Sequence, residues 1–159
     1  MTTVTPAPHL SGGWLTGPEI ARQVRQRRIV IDPFDPTALN PNSYDYTLAP
    51  SLKRLTNAVI DLRGRDRWTE MPIPQHGLRL EPGECYLGST NEIFGSEWFA
   101  SLITGRSSVG RKFITNHITA GLVDIGFFGR LTLEITVVKP TLVYPDLRFG
   151  QIFWFPVRG

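Results

Sequence analysis

Residues 105–111 read Gly-Arg-Ser-Ser-Val-Gly-Arg, so two guanidinium groups, two hydroxyls and two glycines fall within one short stretch. Glycine lets backbone N–H groups come close to an anion. Serine donates hydrogen bonds without adding charge, and arginine adds forked, charge-assisted bonds to phosphate. Arg106, Ser107, Ser108, Val109, Gly110 and Arg111 thus have the composition of a phosphate cradle. It is not a Walker loop, because G-x-x-x-x-G-K-[ST] does not occur. A second reading fits the same residues: a polar turn capping a helix, with Ser107 or Ser108 at its N-cap.

The next informative group is Glu134. In residues 130–138, Leu131, Leu133, Ile135 and Val137 alternate with Arg130, Thr132, Glu134 and Thr136. This is the period of a strand with one apolar and one polar face, and Glu134 stands on the polar face between two threonines. If that face borders a cleft, a partly desolvated carboxylate can take a proton from a water and return it. If the face is open, Glu134 is a solvated surface residue. Between the two segments lies Asp124, which either forms a turn or accepts a sugar hydroxyl. His117 fits a hydrogen-bonded core or interface position better than a ligand position.

Composition narrows the chemistry further. The chain of 159 residues is long enough for one domain with its own core. Its net charge is +3, with fourteen arginines against three lysines, a balance that favours an anionic ligand without choosing between a nucleotide and a nucleic acid. The single cysteine, Cys85, excludes an intrachain disulfide, and three scattered histidines make a structural zinc site a poor fit. The H-x-E and P-C-x-x-C signatures of zinc nucleobase deaminases are absent, so any deamination here is expected to run without zinc. No apolar run is long enough to span a membrane and the N-terminus lacks a secretory pattern, which makes the cytoplasm the expected location. The only contiguous basic stretch, residues 25–28, lies on an expected helix, so a nucleic-acid partner is not expected.

These residues must be held by short elements. Residues 1–13, rich in Thr, Pro, Ser and Gly, read as a flexible arm, and residues 14–159 as a single domain. Thr16, Pro18 and Glu19 form a helix-start pattern, with Thr16 as cap and Glu19 closing a capping box, for a helix over about 17–27. Strands are expected in IVIDPF, SYDYTLA, SLKRLT, LRLEP, CYLGST and RLTLEITVV, punctuated by Pro, Gly, Asn and Asp. A second short helix is expected near 106–112. Many short strands with such punctuation predict an all-β sandwich or barrel.

The stretch 105–134 resembles the dCTP deaminase branch of the dUTPase superfamily. The family motif is matched by GRSSVGR at 105–111 apart from Val109, by His117, by TAG at 119–121, by Asp124, by Gly126, Phe127 and Gly129, and by TLE at 132–134. The likeness extends to the N-terminal helix and first strand, to residues 42–45, and to residues 149–152. It departs from the motif at Phe113, where the family carries glycine, and at Ile125, where the family carries proline.

The resemblance implies an all-β fold with a short N-terminal helix, a distorted jelly-roll β-barrel of dUTPase type. It implies a homotrimer with active sites between subunits, acting on dCTP with Mg²⁺ on the phosphates. By position, Arg106 through Arg111 would hold the triphosphate and Asp124 the deoxyribose, while Thr132, Leu133 and Gln151 would line the pocket. Glu134 would be the general acid/base, with Ser107 and the Ala120 carbonyl placing the water. Family members usually continue beyond the point where this sequence ends and close that tail over the nucleotide, so binding is expected more firmly than turnover. The leading expectation is deamination of dCTP to dUTP and ammonia. The alternatives are a bifunctional enzyme that also hydrolyses dUTP, a dUTP diphosphatase, and a non-catalytic nucleotide-binding regulator.

Overall fold

The computed structural model describes residues 12–158; residues 1–11, most of the expected arm, lie outside them. Helix α1, Gly17–Arg25, begins where Pro18 can enter the first turn without losing a hydrogen bond, and it buries Ile20, Ala21 and Gln23. Thr16 occupies the cap position, but its side chain makes no capping bond. Glu19 does not close a capping box either, because its carboxylate turns to Arg22 and Gln23. The helix ends two residues before the expected limit, and Arg27 then takes a left-handed conformation at φ 57°.

The rest is short antiparallel strand. In chain order these are β1 (Val30–Asp32), β2 (Tyr44–Thr47), β3 (Ser51–Leu55), β4 (Trp68–Pro72), β5 (Leu78–Leu80), β6 (Tyr86–Ser89) and β7 (Ile93–Gly95). They are followed by β8 (Phe99–Gly105), helix α2 (Ser107–Gly110), β9 (Leu122–Val123), β10 (Phe128–Gly129), β11 (Thr132–Ile135), β12 (Thr141–Val143) and β13 (Arg148–Pro156). The strands pair in the orders β1-β7-β10, β11-β6-β3-β4, β12-β5 and β2-β13-β8-β9. All six expected strand segments contain a strand. Apart from β3–β4 and β8–β9, the pairings join strands that are not consecutive in the chain, as in a rolled barrel in which the chain crosses between sheets.

The interior is aromatic. Tyr44, Tyr46, Phe94, Phe99, Phe149 and Trp154 are all fully buried, and they join the sheets into one core. β11 has the two faces its sequence requires: Leu131, Leu133, Ile135 and Val137 are buried, while Glu134 and Thr136 are half-buried and Thr132 is exposed. Among the described residues no helix is long and apolar enough to cross a membrane.

Candidate active site

β11 is a strand because its β-branched and leucine side chains fill the core on one face. That packing fixes the opposite face, and Glu134 points into a pocket of about 300 Å³ together with His117, Ala120, Asp124, Arg130 and Thr132. Ile103, Leu122, Val123, Phe127 and Leu131 supply its apolar wall. Such a pocket offers a flat ring an apolar surface and gives a few polar groups the task of orienting it.

The Glu134 carboxylate is held from the loop that runs beside it. Its Oε2 accepts the Ile118 N–H at 2.7 Å. The Glu134 backbone N–H donates to the Asn116 carbonyl at 3.1 Å, and its carbonyl accepts from the Thr115 hydroxyl at 3.1 Å. The same loop carries Ala120 to the pocket wall. It passes close to β8 at Gly121, where a Cβ would lie 3.0 Å from the Ile103 carbonyl and 3.2 Å from the His117 ring. His117 is half-buried on the pocket wall, with Nδ1 turned away from solvent.

The basic segment is placed differently. α2 follows directly from β8, with Arg106 in the cap position, so neither Ser107 nor Ser108 caps the helix as the alternative reading supposed. Arg106 is anchored from below: its Nε lies 3.1 Å from Oδ2 of Asp45, whose other oxygen accepts from Asn40 Nδ2 at 2.8 Å. Ser107, Ser108, Gly110 and Arg111 are exposed, and Val109 is buried as the plug of the short helix. Arg106, Ser108 and Val109 border a second pocket, with Lys112, Tyr144 and Arg148.

Within one chain, therefore, the expected site residues fall into two groups. Glu134, Ala120, Asp124 and Thr132 share a pocket; none of residues 106–111 is on its wall. Gln151 belongs to neither pocket. It accepts from Ser43 Oγ at 3.1 Å and sits opposite Asp45 on the neighbouring strand. Leu133 sends its side chain into the core, leaving only its backbone for a ligand. Asp45, Asn116, Phe127 and Arg130 were missing from the expected set. Asp45 stood in a segment already noted, but nothing in its spacing tied it to Arg106.

Among the described residues no three His, Cys, Asp or Glu side chains converge to hold a metal ion.

A roll of short antiparallel strands with two short helices is a mostly β fold of the dUTPase kind. The family model described as dCTP deaminase-like matches residues 14–157, and the chain belongs to that family. It is 41% identical over 145 residues to "dCTP deaminase, dUMP-forming" of Clostridium beijerinckii, covering 91% of this chain and 83% of that one. It is 39% identical over 145 residues to "dCTP deaminase" of Rhodopirellula baltica, covering 91% and 73%. The crystal structure of 2'-deoxycytidine 5'-triphosphate deaminase from Agrobacterium tumefaciens matches the fold with a TM-score of 0.73 at 22% identity. That match covers 93% of this chain and 49% of the other, so this chain spans about half of it.

Proposed function

We propose that this chain deaminates dCTP and carries the product on to dUMP, using a site completed between copies of itself. The observation that carries the reading is Glu134, set in a pocket with Ala120, Asp124 and Thr132 and fixed by the Ile118 N–H. In the first reaction Glu134 takes a proton from a water, and the water oxygen bonds to C4 of the cytosine ring. Glu134 then delivers a proton to the exocyclic nitrogen, the C4–N bond breaks, and ammonia leaves. Ala120 contributes its carbonyl as a water acceptor, and Asp124 accepts from the deoxyribose hydroxyl.

The sequence led first to dUTP as the end product. The dUMP-forming name of the Clostridium relative favours the bifunctional alternative instead. In the second reaction a water attacks the α-phosphorus of dUTP and pyrophosphate departs, with Asp124 or Glu134 orienting the water. The substrate is the Mg²⁺ complex of the nucleotide, in which the cation offsets charge on the phosphoryl oxygens.

Completion by a second copy is supported by the separation of residues 106–111 from the Glu134 pocket. It is supported too by exposed Ile118, Leu122, Ile125, Phe127 and Phe128 on the loops and two short strands, β9 and β10, of residues 118–128, a concentration of apolar surface suited to burial in an assembly. The family likeness supports a homotrimer as that assembly.

The test is incubation with Mg²⁺–dCTP and, separately, Mg²⁺–dUTP, with ammonia, pyrophosphate and the nucleotides quantified. Ammonia and pyrophosphate from dCTP, with dUMP as product, is the expected result; accumulation of dUTP without pyrophosphate would reject the second step. Glu134→Gln is expected to bind dCTP and release no ammonia.

A further inference from the structure

The loop that holds Glu134 is itself held from the core by a buried polar pair. Tyr46 on β2 is fully buried, and its hydroxyl accepts from Asn116 Nδ2 at 2.5 Å and donates to the Thr104 carbonyl at 3.3 Å. Asn116 Nδ2 also donates to the Thr104 carbonyl at 2.9 Å. Burial pushes the Tyr46 phenol well above its ordinary value, so it stays a protonated hydroxyl throughout the working range. The space for this contact exists only because residue 150 is glycine: a Cβ there would run into both the Tyr46 hydroxyl and the Asn116 amide.

Asn116 is the residue from which the grip on Glu134 begins. Its own carbonyl accepts the Glu134 N–H, its predecessor Thr115 donates to the Glu134 carbonyl, and Ile118 N–H reaches the carboxylate. Thr115 bonds to Glu134 and Thr136, on and just after β11, so it ties the loop to the same strand that carries the carboxylate. The Asn116 side chain ties the near end of the loop to β2 and β8, through Tyr46 and the Thr104 carbonyl, while its far end is tied to β8 where the Ile103 N–H donates to the Gly121 carbonyl at 2.8 Å. A buried polar group at this site would cost stability if unsatisfied, and here the Asn116 amide is matched by the Tyr46 hydroxyl and the Thr104 carbonyl.

We propose that Tyr46 and Asn116 are positioning residues for Glu134: together they set where the 115–118 loop stands and therefore where the carboxylate points. The proposal rests on the reading of Glu134 as the acid/base. Neither side chain lines the Glu134 pocket, so loss of the pair acts on the geometry of the chemical step and leaves substrate binding intact.

The experiment is steady-state deamination of Mg²⁺–dCTP by Tyr46→Phe and Asn116→Leu, with melting temperatures and Glu134→Gln as control. Misplacing a catalytic group by a fraction of an ångström to an ångström is expected to lower kcat about tenfold to a hundredfold. KM should stay within about twofold of the parent, since ground-state contacts are retained. Unchanged kcat in a folded Tyr46→Phe overturns the proposal. So does a joint change of kcat and KM that tracks the loss of melting temperature, which is the behaviour of a merely structural pair. If Tyr46→Phe does not fold, Asn116→Leu is read by the same criteria. Ammonia release by Glu134→Gln would remove the acid/base reading and the proposal with it, whereas an inactive Glu134→Gln beside a fully active Tyr46→Phe would remove the proposal alone.

Discussion

The guanidinium of Arg106 is clamped by Asp45, Nε to Oδ2 at 3.1 Å, and the Asp45 side chain is only 3% exposed. A cation anchored by a buried carboxylate keeps one orientation, and it presents its remaining donors without an ordering cost at the moment of binding. On the proposed reading of the cradle, Asp45→Asn keeps the shape but removes the charge that holds Arg106. The expected outcome is a KM for dCTP raised about tenfold, which corresponds to ~1.4 kcal/mol of binding, with kcat changed much less. Equal loss in kcat and kcat/KM would show instead that Asp45 acts in the transition state.

Gly150→Ala places a methyl group where the Tyr46 hydroxyl and the Asn116 amide already stand. β13 is held between β2 and β8 at this position, Gly150 lying opposite Tyr46 and Gly105, so the backbone has little room to move away. Overpacking of this kind costs about 1–3 kcal/mol, and the Asn116–Tyr46 hydrogen bond is lost as well. Denaturant unfolding is expected to show a lower midpoint with an unchanged slope. A midpoint equal to the parent's would mean that the pair shifts aside without strain.

What the sequence made legible followed from periodicity. β11 alternates strictly, because one face meets the core and the other the pocket, and Glu134 could be assigned to the polar face before any coordinates. β8 and much of β13 gave no such signal. They lie side by side in the interior of the β2-β13-β8-β9 sheet, and Phe99, Ala100 and Ser101 are buried consecutively. A strand covered on both faces loses the period that marks it. The Tyr46–Asn116 and Asp45–Arg106 contacts were illegible for another reason: each joins residues about 60 or more positions apart, and pairing at that separation is set by sheet register rather than local pattern.

Glu19 links stability to pH through α1. The Arg22 guanidinium, bonded to its carboxylate, holds Glu19 below its ordinary value, with Gln23 adding a further donor. A carboxyl with a depressed folded-state pKa contributes stability above its unfolded value, near 4.5, and loses that contribution as pH falls through the folded value. Glu19→Gln is therefore expected to melt lower than the parent at pH 7. The difference is expected to be small because the pair is only partly buried and solvent screens it. It should shrink below pH 4 and vanish once the parent's carboxyl is protonated. A difference independent of pH would assign the effect to helix propensity instead.

Phe113 occupies the position where the family motif has glycine, and the structure supplies the physical reason for that glycine. The residue sits at φ 58°, in the left-handed region, immediately after the turn that closes α2. Its ring is 71% exposed, so little packing offsets the strain. The left-handed conformation costs a residue with a Cβ roughly 1–2 kcal/mol, and glycine's greater freedom in the unfolded chain returns part of that. Phe113→Gly is expected to raise stability by about 0.5–1 kcal/mol in the dissociated chain. A loss on substitution in the assembled protein, with a gain in the dissociated chain, would show the ring buried against another copy.

The separation of residues 106–111 from the Glu134 pocket makes a prediction that depends on no single geometry. If Ser107 of one copy serves the Glu134 of another, Ser107→Ala and Glu134→Gln disable the same site from different chains. Each variant alone is expected to be inactive in ammonia release. When the two are mixed and their subunits exchanged, some sites receive an intact serine from one chain and an intact glutamate from the other. Random assembly makes that combination about one site in four, so recovery of about a quarter of parental activity is expected. A site built within one chain cannot be repaired by mixing, because every chain carries one of the two lesions. Absence of recovery, with subunit exchange demonstrated independently, would therefore place both residues in the same copy and contradict the shared site.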